Sequence, residues 1–248
     1  MFGRRRAAAD RDVARGASAD LSATVQGAAD DVTAAGSGPW DSTEQFTAME
    51  RVDLGSLQVP VSPGLDIQLV FAEQHGAWVT VRQGQASEMQ LQVFAAPKSS
   101  GLWDEVRGEI AAEIAGAGGA SEAQEGTFGT ELHARVPAEP GKPQSGLRPV
   151  RFVGVNGPRW FLRALFAGQA AMDQAAAAPL EAVLREVVVV RGDQPMPPRD
   201  LLELRLPPDA VQALEEQARA QQQQQQQGDG RLNNPPNPFD RGPEMTET

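Results

Sequence analysis

Arg159 and Arg163 lie four residues apart in an apolar run. Two guanidiniums on one strand face could hold a phosphate or carboxylate through paired N–H donors. Salt bridges to helix acids such as Glu181 or Glu186, or plain solvation, also account for both, and this reading weighs more. His133 sits between Glu131 and Arg135 with strand spacing, so the three would share one face. A general base oriented by a carboxylate could be built there. A solvated strand face with alternating charges is the favoured reading. His75, beside Gly76, reads as a surface loop residue. With two histidines and no cysteine, a thiol nucleophile and a Cys-ligated metal are excluded, and no metal or cofactor signature is present. No catalytic motif of the G-x-S-x-G, H-E-x-x-H or phosphate-loop kind appears. Trp40 stands in Gly38-Pro39-Trp40-Asp41 within a polar stretch. A lone Trp in such a setting docks on its own domain or on a partner, and both options stay open.

The elements that would carry these residues alternate clearly. Leu57–Val61 reads as a short strand. Leu65, Ile67, Leu69 and Phe71 alternate with polar neighbours, as do Val79 and Val81, and Met89, Leu91 and Val93. Trp103, Val106, Ile110 and Ile114 fall on one helical stripe, which Gly116 to Gly119 end. Thr130–Val136 reads as a strand. Arg148–Val155 and Arg159–Phe166 read as a hairpin across Asn156-Gly157-Pro158, since Asn-Gly between apolar runs favours a tight turn. That register sets Arg151 opposite Leu162, on the face away from Arg159 and Arg163. A second helix is expected over Ala175–Val187, with Leu180, Val183, Leu184 and Val187 buried. Residues 200–206 would add a closing turn or an edge strand. The order β-β-β-β-α-β-β-β-α predicts an α+β fold: a largely antiparallel sheet of about seven strands with two helices.

Composition divides the chain in three. Residues 1–49 are rich in Ala, Asp, Gly, Ser and Thr, and read as a mobile tail. Residues 50–208 read as one domain. Residues 209–248 read as a short helix, 209–220, then a Gln, Asn and Pro-rich mobile tail that includes Gln221 to Gln227. The 248 residues carry a formal charge of −11. An acidic balance argues against nucleic acid and against an anionic membrane surface as partner. Phe2-Gly3-Arg4-Arg5-Arg6 has no apolar run behind it, and no stretch reaches the length of a membrane span. A cytoplasmic location is expected.

Several motifs carry a family resemblance. They are Gly38-Pro39-Trp40-Asp41, Arg51-Val52-Asp53-Leu54-Gly55-Ser56-Leu57, Val93-Phe94-Ala95-Ala96-Pro97-Lys98 and Trp103-Asp104-Glu105-Val106-Arg107. The densest is Pro149 to Arg163, and the last runs from Val190-Arg191-Gly192-Asp193 to Arg199-Asp200-Leu201-Leu202. Over about residues 38–206 the chain resembles an actinobacterial family, domain of unknown function 3710. The resemblance implies a bacterial, cytoplasmic protein and supplies no activity, substrate or site residue.

These readings lean away from an enzyme. They favour a non-enzymatic binding or adaptor module that takes a protein partner, with Trp40 as a candidate contact. Two alternatives stand beside it. One is a sensor or enzyme for an anionic small molecule, using Arg159 and Arg163. The other is a self-assembling structural protein, using the 209–220 helix.

Overall fold

A computed structural model describes residues 38–72, 76–98, 101–139, 142–212, 216 and 219, with backbone alone at 142–145. Its main sheet has seven strands and is antiparallel throughout. Three of them form a meander: β4 (Leu65–Ala72), β5 (Gly76–Gln83) and β6 (Ser87–Ala95). A second meander holds β7 (Ala120–Gly126), β8 (Gly129–Glu139), β9 (Lys142–Gly157) and β10 (Trp160–Gly168). β6 and β10 join the two, giving the order β4-β5-β6-β10-β9-β8-β7. Helix α1 (Trp103–Gly116) connects the meanders. A 3-10 turn at Gln169–Ala171 follows β10 and leads into α2 (Gln174–Glu186). The fold is α+β, as the alternation predicts.

Each face of the sheet meets one helix. Trp103, Ile110 and Ile114 of α1 pack on Leu132, Ala134, Val150 and Phe161. The Trp103 and Phe161 rings lie with centroids 6.1 Å apart. A Cβ on Gly154 would collide with the Trp103 ring, so this strand position admits only glycine. On the other face, Leu180, Val183 and Leu184 of α2 join Val79, Val81, Met89, Leu91, Val153, Leu162 and Phe166. Asp173 caps α2 by accepting from the Ala175 N–H at 3.0 Å. The cap of α1 comes from far along the chain: the Asn156 side-chain oxygen accepts from the Leu102 and Trp103 N–H groups at 2.9 and 3.2 Å.

A small sheet completes the core. It holds β1 (Trp40–Asp41), β2 (Arg51–Asp53), β3 (Leu57–Pro60) and β11 (Val188–Val189), in the order β1-β11-β3-β2. β1 runs parallel to β11, with Trp40 beside Val188. Residues 200–206 contribute two isolated bridges, Phe94 to Leu201 and Gly55 to Leu204, which tie β6 to the start of β3.

Four sequence expectations change. The domain starts by Gly38, because residues 40–41 are a paired strand and Asp41 is 5% exposed; the tail assigned to 1–49 reaches too far. β7 was absent from the alternation and belongs to the seven, while Leu57–Pro60 belongs to the small sheet. The hairpin turn is Pro158-Arg159, not Asn156-Gly157, so Arg151 lies opposite Phe166 rather than Leu162. The slip is an even number of positions, so Arg151 keeps the expected face. The face holding Glu131 and His133 is not uniformly solvated, as shown below. His75, residues 1–37 and the Gln run lie outside the described residues. Of the expected 209–220 helix, helical backbone is described at 208–212, 216 and 219.

Candidate functional site

Two places concentrate polar side chains, one on each face of the main sheet. On the α2 face, Glu131 of β8, Arg151 of β9 and Glu181 of α2 form a buried cluster. Their side chains are 1%, 5% and 2% exposed. Arg151 donates to Glu181 Oε1 at 2.6 Å and stands 3.5 Å from Glu131 Oε2. It also lies over the Phe166 ring, 4.3 Å from its centroid. Glu181 is fully engaged. Its Oε2 accepts from the Thr127 hydroxyl at 3.2 Å and the Gln174 amide at 3.0 Å, with Arg185 at 3.7 Å.

Glu131 is treated differently. Neither of its oxygens accepts a well-formed hydrogen bond among the described residues, the Phe128 amide reaching it only weakly, and Arg151 Nε donates none. Burial pushes the Glu131 carboxyl above its ordinary value. Arg151, the Phe128 amide and His133 pull downward, and Glu181 adds a like charge that pushes up. Desolvation wins because Arg151 spends its short contact on Glu181. The pocket exists because of Gly126, since a Cβ there would overlap the Glu131 carboxyl group. His133 Nε2 lies 3.6 Å from Glu131 and is 33% exposed. Arg135, the next residue on that face, is exposed. The face is therefore a gradient from dry to wet along one strand.

The α1 face is divided crosswise. α1 packs over β7, β8 and β9. Beneath it the row Leu165, Phe152, Leu132 is apolar, and the same row continues through β6, β5 and β4 as Gln90, Thr80 and Gln68. The next row runs Val150, Ala167, then Glu88, Arg82 and Asp66. Among the described residues no helix covers this polar half. Its side chains bond along their own strands instead. Gln68 donates to Asp66 at 2.6 Å, Gln90 to Glu88 at 3.2 Å, and Trp78 Nε1 to the Thr80 hydroxyl at 3.1 Å. Arg82 and Glu88 pair across strands at 3.5 Å. Trp78 lies partly open among these groups.

The residues singled out from sequence are dispersed. Arg163 sits at the seam between the two halves, bonded to Gln92 and over the Phe94 ring at 5.5 Å. Burial lowers its proton affinity, and Glu113 of α1 opposes that. Arg159 lies in the turn with φ 62°, and its guanidinium donates to the Gly192 carbonyl at 3.0 Å. The two serve separate partners rather than one site. Glu181 and Glu186 pair with Arg151 and Arg51, not with either of them. Trp40 is seated on its own domain through the chain: its backbone N–H donates to the Val187 carbonyl at 2.8 Å, and its indole Nε1 is buried with no hydrogen-bond partner among the described residues. Its neighbour Asp41 accepts from Trp160 Nε1 at 2.7 Å, joining the Gly38–Asp41 motif to the densest one. Among the described residues no three His, Asp or Glu side chains converge as a metal site, and no helix is long and apolar enough to cross a membrane.

The buried cluster escaped sequence reasoning because its members come from three elements. Each left a trace: Arg151 interrupts the apolar run 150–155, and Glu181 falls between Leu180 and Leu184 on the buried stripe of α2. The open half-face was legible as alternation, but not as uncovered.

No curated protein and no solved structure matches the chain. A family model does, over residues 38–213, which span the whole described core, and the chain belongs to that family, the proteins of unknown function designated DUF3710.

Proposed function

We propose that this protein is a cytoplasmic, non-enzymatic binding module that docks a protein partner on the open half of its main sheet. One observation carries the reading: α1 lies over β7, β8, β9 and the Phe161 and Leu165 side chains of β10, leaving Gln68, Gln90 and Trp78 of β4–β6 uncovered by any described helix. Each is already held along its own strand, Gln68 by Asp66, Gln90 by Glu88 and Trp78 by Thr80, so the surface is ordered before a partner arrives. Preorganisation lowers the entropy cost of association. The amides retain donors and acceptors for a partner, and Trp78 adds the aromatic area that interfaces favour. The family resemblance adds an actinobacterial cell as the setting.

The test is affinity capture from host lysate with the full chain, with a chain trimmed to 38–213, and with a full-length Gln68→Arg/Gln90→Arg variant. A partner captured at stoichiometric yield by the first two and lost from the variant is the expected result. Capture that survives both Arg substitutions but disappears on trimming would move recruitment to the termini and overturn this reading.

A further inference from the structure

A groove opens beside the main sheet where β5 turns into β6, β9 passes through Arg148 and Pro149, and β10 leaves for the 3-10 turn. Arg82, Ser87, Glu88, Arg148 and Gln169 are among its lining residues, and its volume is ≈ 850 Å³. That is the size range of sites for small organic ligands. We propose that this groove binds a small molecule with clustered anionic oxygens, a phosphate ester or a polycarboxylate, through Arg82 and Arg148.

Charge is the first argument. The chain carries −11 overall, yet two guanidiniums meet one carboxylate here. Arg148 is exposed and has no partner among the described residues. Among the described residues Arg82 pairs with Glu88 alone, an ion pair at 3.5 Å that leaves guanidinium donors unused. Guanidinium forks match phosphate and carboxylate oxygens geometrically, and paired N–H···O bonds are stronger than neutral ones. The side chains of Gln169 and Ser87 add neutral donors at the same wall.

Rigidity is the second argument. The Gln169 N–H donates to the Ala86 carbonyl at 2.8 Å, which fastens the β5–β6 turn to the exit of β10. The groove is therefore built by three chain segments fixed to one another, and a ligand need not order them. The apolar remainder of an organic ligand has a place as well. Met172 lines the groove and is 70% exposed, with Pro149 and Ala167 nearby. The proposed pair differs from Arg159 and Arg163, and the sequence keeps its members 66 positions apart.

The site shares Arg82 and Glu88 with the open half-face but does not require a protein to dock there. The test measures thermal unfolding of the full chain against inorganic phosphate, pyrophosphate and citrate, with sodium chloride at matched ionic strength as control. At least one of the three oxyanions should raise the melting temperature saturably above the chloride control. The pattern among them separates phosphate from carboxylate chemistry. Arg148→Gln breaks no hydrogen bond or ion pair among the described residues and should weaken that apparent affinity by roughly tenfold or more. Arg159→Gln, far from the groove in the β9–β10 turn, should retain it. An upshift no larger than that of chloride, or one that persists unchanged in Arg148→Gln, would overturn the proposal. Failure of the protein-docking test leaves this outcome unaffected.

Discussion

The two faces of the main sheet place charge under opposite conditions. On the α2 face, the side chains of Glu131, Arg151 and Glu181 are each 5% exposed or less. On the α1 face, Asp66, Arg82 and Glu88 line up across three strands with water beside them. Both arrangements alternate sign. Only the dry one must satisfy every oxygen and proton internally, and it does so for Glu181 and not for Glu131. The comparison teaches that coverage by a helix, more than residue type, decides what a charged row costs. In the open row an unmade bond is replaced by water, whereas under α2 it is not.

Removing the shared cation tests the contrast most severely. Arg151→Met should leave two buried carboxylates facing each other and cost about 3–5 kcal/mol of stability. Urea unfolding would measure it. A midpoint equal to that of the native protein would mean the cluster is hydrated and the contrast is false.

The pH dependence of Glu131 gives a smaller, signed effect. Its folded-state proton affinity is raised, so folding takes up a proton there. The contribution is fully present below the unfolded carboxylate range and is lost as pH rises through the higher folded value. Glu131→Gln mimics the protonated side chain and should lack that loss. The variant should therefore gain on the native protein as pH climbs out of the acid range. Parallel stability curves for the two would refute the assignment.

The open row supplies the smallest effect. Gln68→Lys should change stability by no more than about 0.5 kcal/mol, as substitutions at wet sites do. A large loss in the same urea experiment would show that this half is covered by another part of the chain, which would erase the difference between the faces.

Alternation made much of the architecture readable. Leu91 and Val93, or Ile110 and Ile114, announce their partners by spacing alone, and all four are buried. β7 did not, because Ala120–Gly126 is an edge strand with almost every side chain in water. Its Glu122 and Glu125 suit an edge that must not pair further, and they erase the apolar signal. β1 escaped for another reason: two residues cannot show a period. Asn156-Gly157 misled, since Asn156 serves as the distant cap of α1 and the turn falls two residues later. The candidate sites were less readable than the fold. Alternation assigns a face to each strand residue, but only tertiary packing says whether a helix lies over that face. Glu131 and Gln90 therefore looked alike in sequence and ended in opposite surroundings.

The small sheet has a consequence for biosynthesis. β1 hydrogen-bonds to β11 alone, and β11 lies between β1 and β3. When residues 40–41 leave the ribosome, their partners at 188–189 have yet to be translated. At ordinary elongation rates the delay is about 7–30 s. Throughout it Trp40 has no strand to join and Asp41 no Trp160 for much of the wait. The β2–β3 hairpin can form early, and both meanders of the main sheet can pair, before the N-terminal strand is seated. β1 thus closes last, as a latch on a nascent chain whose other strands are already in place. Until then the newborn protein carries an unpaired Trp40-Asp41 segment whose partners the finished one supplies from Trp160 and residues 187–189.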